Sequence, residues 1–321
     1  DMTIGTGTYT TYPTLGIRED LEDLIYNVDP TETPFVTRAG RGKKKNTFFE
    51  WQTQALAAAS TTNAQLEGDE LTSYDAATPT VRLGNYMQIA RKTASVSDTQ
   101  SAVDAAGRDD ELAYQVSLKS MELKRDVASQ LMDNIACVAG NTTTARVTGS
   151  LLAFLKTNVN KASNGVIPVY TTTPSDVFTN GTQRAFTETI LKDVLKQCFD
   201  NGGKPNVVMM GSWVKQVASA FTGVAANRMN QQVLKPASVV AAVDFYQSDF
   251  GVLEFVPNRF QRGRDAFFLD FSMVSVDFLR PFQTKPLAKT GDAEKRLIVV
   301  EYGLRVKNEK GLGVAVDLAT S

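Results

Sequence analysis

The 321-residue chain contains no histidine. That absence removes the commonest general base, the commonest transition-metal ligand and the usual pH switch. Ser–His–Asp and Cys–His catalysis are excluded, as is a histidine-containing zinc site. Cysteine is almost as scarce. Cys137 and Cys198 both stand in apolar, helical-looking contexts and read as buried free thiols of a reducing compartment. No run of about 18 apolar residues is present, so no segment reads as a transmembrane helix. The N-terminal residues show no basic-then-apolar secretory pattern, which leaves the glycosylation sequons at Asn141 and Asn180 without weight. Neither sign of charge is in excess: 34 basic residues face 35 acidic ones, for a net charge of −1. No global field therefore draws the protein to nucleic acid or to a membrane. Carboxylate catalysis and oxygen-ligated hard cations are the chemistries left open.

What the chain does have is 42% hydrophobic residues, enough at this length for about two cores. Residues 1–14 are rich in Thr, Gly and Tyr and read as an extended tail. Ile17, Leu21, Leu24, Ile25 and Val28 then recur at helical spacing, with Pro30 and Pro34 expected to stop that helix. A basic cluster follows, with Arg38, Arg41, Lys43, Lys44 and Lys45 within eight residues. Residues 47–54 and 80–91 are aromatic or β-branched with partial alternation and read as two limbs of one antiparallel ribbon. The polar, Ala- and Thr-rich stretch between them exceeds the ordinary length of a connecting loop. It reads as an arm held out from the body. A two-stranded ribbon alone is marginal in water, so Phe49 and Trp51 need a partner surface.

Residues 109–138 form the best helical pattern of the chain. Leu112, Val116, Leu123, Val127, Leu131 and Ile135 make one stripe, acids lead it and Gly140 lies beyond its end. Thirty residues predict a spine about 45 Å long. Further on, the pattern predicts helices at 187–199 and, capped by Ser212, at 213–221. Strands are expected at 207–210, 239–246, 252–256, 266–270 and 273–279. The end of the chain reads as a β-hairpin, with strands 297–307 and 313–318 around residues 308–311. The order helix–strand–helix marks a mixed α/β unit.

Few residues offer chemistry. The basic cluster lacks interleaved aromatics and any nucleic-acid-binding signature, and reads as solvated or salt-bridged across subunits. Arg259, Arg262 and Arg264 read as a charged loop. Glu67, Asp69 and Glu70 lack calcium-loop spacing. No glycine cluster carries the Lys-Ser/Thr of a phosphate loop. No catalytic, cofactor or metal site is predicted.

The stretch GIREDLEDLIYNVDPTETPF at 16–35, followed by ribbon, spine helix, α/β unit and closing strands, resembles the major capsid (head) proteins of tailed bacteriophages. The resemblance covers nearly the whole chain. It implies an α+β Hong Kong 97-like fold, divided into an N-terminal arm (1–36) and an extended loop (37–95). A peripheral domain (96–150 with 290–321) and an axial domain (151–289) complete it. It further implies a structural subunit without enzymatic activity or cofactor, self-assembling into hexamers and pentamers around double-stranded DNA. The partners implied are the chain itself, a portal protein, scaffold or decoration proteins, and non-specific contact with packaged DNA, with no membrane. Location would be the virion, after assembly in the bacterial host cytoplasm. Inter-subunit contacts are expected from Leu21, Leu24 and Ile25 on the arm, from Arg38, Arg41, Phe48, Phe49 and Trp51 at the ribbon, and from Glu67, Asp69 and Glu70 at its tip. Residues 43–45 lie at the loop's base, so no lysine cross-link is expected. An encapsulin-like compartment shell is the nearest alternative. A carboxylate enzyme and a surface-coating accessory protein are the others.

Overall fold

The computed structural model describes residues 31–68, 70, 74–103, 110–221 and 244–321. The expected helix at 17–28 lies outside them, as does the 239–243 part of one expected strand.

Pro34 opens α1 (Pro34–Arg38), at a first-turn position where its missing N–H has no partner to lose. Phe35 of α1 is fully buried, 6.2 Å from Phe271. The basic cluster continues directly into β1 (Gly40–Lys43), which pairs in parallel with β10 (Val274–Pro286). Gly42 permits that approach: a Cβ there would meet the Asp277 carboxylate at 2.5 Å. β10 is antiparallel to β11 (Ala293–Val306), and β11 in turn to β4 (Gln88–Ser97), giving a four-stranded sheet in the order β1-β10-β11-β4.

The ribbon forms as expected between β2 (Phe48–Thr53) and β3 (Val81–Tyr86), with Phe48 opposite Tyr86 and Trp51 opposite Leu83. Its second limb is shorter than the sequence suggests. The chain leaves the ribbon at buried Met87, and Gln88 already belongs to the four-stranded sheet.

The spine helix α3 spans Glu111–Leu131, about 31 Å rather than the expected 45 Å. Asp110 caps it by accepting a hydrogen bond from the Ala113 N–H. It ends early because the following residues have other partners. The Asn134 amide donates to the Phe178 carbonyl at 2.7 Å and accepts from its N–H at 3.0 Å, while Ile135 N–H donates to Ser150 Oγ. Before α3 lies the short α2 (Asp98–Ala102), and beyond it α4 (Leu151–Phe154), buried throughout.

The second sheet has six strands in the order β5-β12-β9-β6-β8-β7. These are β5 (Val159–Asn160), β6 (Val207–Met210), β7 (Phe245–Ser248), β8 (Gly251–Pro257), β9 (Ala266–Leu269) and β12 (Gly313–Ala315). β6 shows why a strand can be apolar without alternation. Val207 and Met209 face one core, which includes Leu123, Leu131 and Phe154. Val208 and Met210 face the other, built on α5 (Glu188–Asp200) and α6 (Ser212–Ser219). Thr187, expected as the first helical residue, instead caps α5, and Gly211 rather than Ser212 is the cap residue of α6.

The expected terminal hairpin is corrected. β11 and β12 lie in different sheets, and the hairpin is β10–β11. Alternation showed that both segments are strands but carried no information on partners. What separates them is buried Glu309, whose carboxylate accepts from the Lys156 and Thr157 N–H groups and from the Thr157 hydroxyl. That turns the chain away from β11 and into the second sheet. β10 and β12 thus each lie with strands from the other side of residue 289 in the expected division.

Candidate assembly surfaces

The ribbon has two faces. Phe49, Trp51, Leu83 and Asn85 point toward the body, and Phe48, Glu50, Gly84 and Tyr86 away from it. On the inner face Phe49 is 5% exposed and stacks on Trp51 at 5.7 Å, with Trp51 6.0 Å from Phe154. Gly303 on β11 leaves room for Phe49, since a Cβ there would lie 2.6 Å from its ring. Buried Asn85 fixes the base. Its amide donates to Thr148 Oγ1, Gly149 O and Leu304 O, and its oxygen accepts from the Gly149 N–H. Within the chain Phe49 thus packs against β11, while Trp51 stays partly exposed. Phe48, half-buried, pairs with Tyr86 on the outer face at 4.7 Å.

The basic cluster divides in the same way. Arg38 makes a two-point ion pair with Glu254 on β8, at 2.6 and 2.7 Å, which holds the Glu254 carboxyl below its usual range. Lys44 lies 3.3 Å from buried Asp277 and over the Phe49 ring. Arg41, Lys43 and Lys45 are exposed. Arg262 and Arg264, expected in a charged loop, are largely buried braces. Arg264 pairs with Asp317 at 2.8 Å and donates to Gly181 O, and Arg262 lies 3.3 Å from Asp265. Asp317 also accepts from the Gly181 and Ala162 N–H groups, so one carboxylate joins three loops. Buried Glu301 is held by Arg146 and Arg280. These acids were not distinguishable in sequence from surface carboxylates.

Beyond β2 and before β3 the described arm residues have neither helix nor strand. The Gln54 amide donates to Thr78 O at its base. Glu67 and Glu70 are exposed on it, while Asp69 and the arm residues Leu21, Leu24 and Ile25 lie outside the described residues. Sequence reasoning overlooked the arm's large apolar side chains: Leu56 is 97% exposed, Leu66 82% and Tyr74 87%. Lone large apolar residues within a polar run were the available signal. A second apolar area was overlooked where Phe199, at the end of α5, stacks on Phe250 at 4.7 Å.

The described residues contain no group of His, Cys, Asp and Glu able to hold a metal ion. A shallow cleft beside Phe199 and Phe250 is lined by Leu195, Lys204 and Pro205, without a carboxylate. Both cysteines are buried, and burial pushes the Cys198 thiol up to about 12. No helix among the described residues is long and apolar enough to cross a membrane.

Two sheets sharing one core, a spine helix and a projecting, unfolded-back arm define a shell subunit of the Hong Kong 97-like class. Comparison with known proteins agrees. The capsid of cyanophage A-1(L) superposes with a TM-score of 0.68 at 11% identity, covering 95% of this chain and 98% of that one. The SrpI encapsulin of Synechococcus elongatus superposes with a TM-score of 0.55 at 10% identity, covering 95% and 94%. The major capsid protein of Escherichia phage Phieco32 is 28% identical over 347 aligned residues, covering 97% of each chain. The profile of the SU10 major capsid protein family matches residues 3–319, and the chain belongs to that family. It is a structural capsid subunit of the virion that associates with copies of itself.

Proposed function

We propose that the chain assembles into hexamers and pentamers of a closed icosahedral shell enclosing double-stranded DNA, and that it carries no enzymatic activity. The family match over residues 3–319 carries this reading, and the exposed arm supports it. Leu56, Leu66 and Tyr74 are exposed apolar anchors with no pocket among the described residues, the side chains that interfaces use as hot spots or their surroundings. The four-stranded sheet with α3 fits the peripheral role and the six-stranded sheet the axial one, with β10 assigned to the former and β12 to the latter. The N-terminal arm and the extended loop supply inter-subunit contacts, with Arg41, Phe48, Glu67 and Glu70 as the exposed or half-exposed candidates of the described part. A portal protein, scaffold or decoration proteins and packaged DNA complete the partners. Contact with DNA is non-specific, since the sequence carries no DNA-binding module signature. Assembly takes place in the host cytoplasm.

The test is light scattering of purified protein after size exclusion, with negative-stain microscopy of the largest species. Closed shells, or rings of five and six, support the proposal. A 35 kDa monomer under all salt and concentration conditions, even with co-expressed phage head proteins, removes it. The structural likeness to an encapsulin sustains one alternative, a compartment shell that encloses protein. The copurifying content, DNA or protein, separates the two.

A further inference from the structure

Strand pairing sorts the side chains of the four-stranded sheet onto two faces. α3 covers one of them, where Lys92 reaches Asp126 and Ala94 and Val96 cluster with Leu112. On the other face β4, β11 and β10 form successive rungs: Ile89–Glu301–Arg280, Arg91–Val299–Gln283, Thr93–Leu297–Lys285, and then Ser95–Lys295. Every one of these rungs carries a single arginine or lysine. The carboxylates that the three strands place on this face are Asp277 and Glu301, both buried. Each already has two cations. Arg146 at 2.6 Å and Arg280 at 2.7 Å hold Glu301, and Arg305 at 3.1 Å and Lys44 at 3.3 Å hold Asp277.

One cation neutralises one carboxylate, so this face keeps a surplus of positive charge in a chain whose net charge is −1. Among the described residues, exposed Arg91 and Lys285 have neither hydrogen bond nor ion pair. Lys295 meets the Thr290 hydroxyl, and Arg280 spends its Nε on Glu301 while its Nη groups have no acceptor there. Successive rungs lie about 6.7 Å apart, two residues of strand. Val299 and Leu297 of β11 form a low floor between the long side chains of β10 and β4, which rise about 10 Å apart across it. The result is a trough with one surplus cation per step, and the step equals the side-chain period of an extended chain. A segment with Asp or Glu at alternate positions sets one carboxylate over each rung. A DNA duplex curves away from a flat sheet after a few phosphates and loses that register. This chain holds no such segment of its own, since nowhere in its sequence do three acids stand at successive alternate positions.

We propose that the trough docks an extended acidic segment of a second, different protein, with carboxylates at alternate positions. The proposal goes beyond self-association of the chain and does not depend on closure of the shell. Charge-assisted hydrogen bonds from Arg91, Arg280, Lys285 and Lys295 supply the contact, and the rung spacing sets the register.

The test is fluorescence anisotropy on the purified full chain, in whatever oligomeric state it adopts, with a labelled peptide of four Glu-Ser repeats. At low salt this peptide is expected to bind about tenfold more tightly than one with the same residues in two blocks, and to weaken as salt is added. Arg91→Glu with Lys285→Glu should lower its affinity about tenfold or more. Both residues are exposed and unpartnered among the described residues, so the fold does not rest on them. The same double variant should gain affinity for four Lys-Ser repeats, a reversal that an unfolded protein would not give. Equal binding of the alternating and blocked peptides, or of short duplex DNA, overturns the proposal in favour of a general polyanion surface. Undiminished binding by the double variant places the peptide elsewhere and overturns it as well. Absence of binding to a parent protein that forms shells removes the trough as a docking site and leaves the shell reading intact.

Discussion

Asp265 departs far from ordinary carboxylate behaviour. It is fully buried at the start of β9, and burial raises its carboxyl to about 7 despite Arg262 and Arg264 beside it. Asp317 and Asp133 add repulsion. Neither of its oxygens has a hydrogen-bond donor, and Arg262 lies 3.3 Å away. A carboxyl raised from 3.8 to about 7 holds its proton in the folded state over a range where the unfolded chain has released it. Its contribution to stability is therefore full below about pH 4 and is lost as pH rises through 7. The subunit is expected to melt at a higher temperature at pH 5.5 than at pH 8, and Asp265→Asn should shrink that difference. Equal pH differences in the two proteins, measured by circular dichroism, would rule this out. Phe49 and Trp51 give a second prediction at this scale. They are part of the subunit's own interior, so Phe49→Ala with Trp51→Ala should lower subunit stability by about 3 kcal/mol or more in urea unfolding. A double variant as stable as the parent, defective only in assembly, would restore them to an interface role.

The elements differ in how much of them was visible beforehand. α5 and β6 read correctly because their signals are local: an amphipathic run, and four apolar residues after Pro205. The spine helix was overextended because Ile135 keeps the apolar rhythm after Asn134 has already bound Phe178. That interaction joins residues 44 apart, and no local pattern encodes it. The terminal hairpin failed for a related reason, since strand pairing depends on Glu309 and its partners at 156–157. The ribbon was legible as an element but not as a packed one. The arm between its limbs belongs to no core in the described residues. Deleting residues 57–77 is expected to change the unfolding midpoint of the isolated subunit by no more than a few tenths of a kcal/mol, as for exposed surface, while lowering the temperature at which shells dissociate. Calorimetry of both species reads the two effects separately. A deletion that leaves the protein insoluble would place part of the arm inside the fold.

At the scale of the whole molecule, charge is used inside rather than outside. Asp277, Glu301 and Asp317 are buried and each meets at least one arginine, although the chain as a whole is nearly neutral. Composition gives the net charge but could not show that these carboxylates brace the interior. Of the aromatic residues expected at the assembly surface, Phe49 is buried in its own chain and Phe48 and Trp51 are partly exposed. Sequence marks where the chain projects, whereas the choice of which aromatic turns inward follows from β-register, a tertiary property. The position of β12 bears on the order of events during synthesis. It lies between β5 and β9, and residues 312–318 are all buried, yet it is the last strand in chain order. The six-stranded sheet stays split, with β5 separated from β9, until those residues have been translated. A chain stopped at residue 310 should accordingly accumulate as aggregate, whereas one stopped at 319 should be recovered in the soluble fraction. Translation that halts before β12 thus yields chains unable to complete the six-stranded sheet.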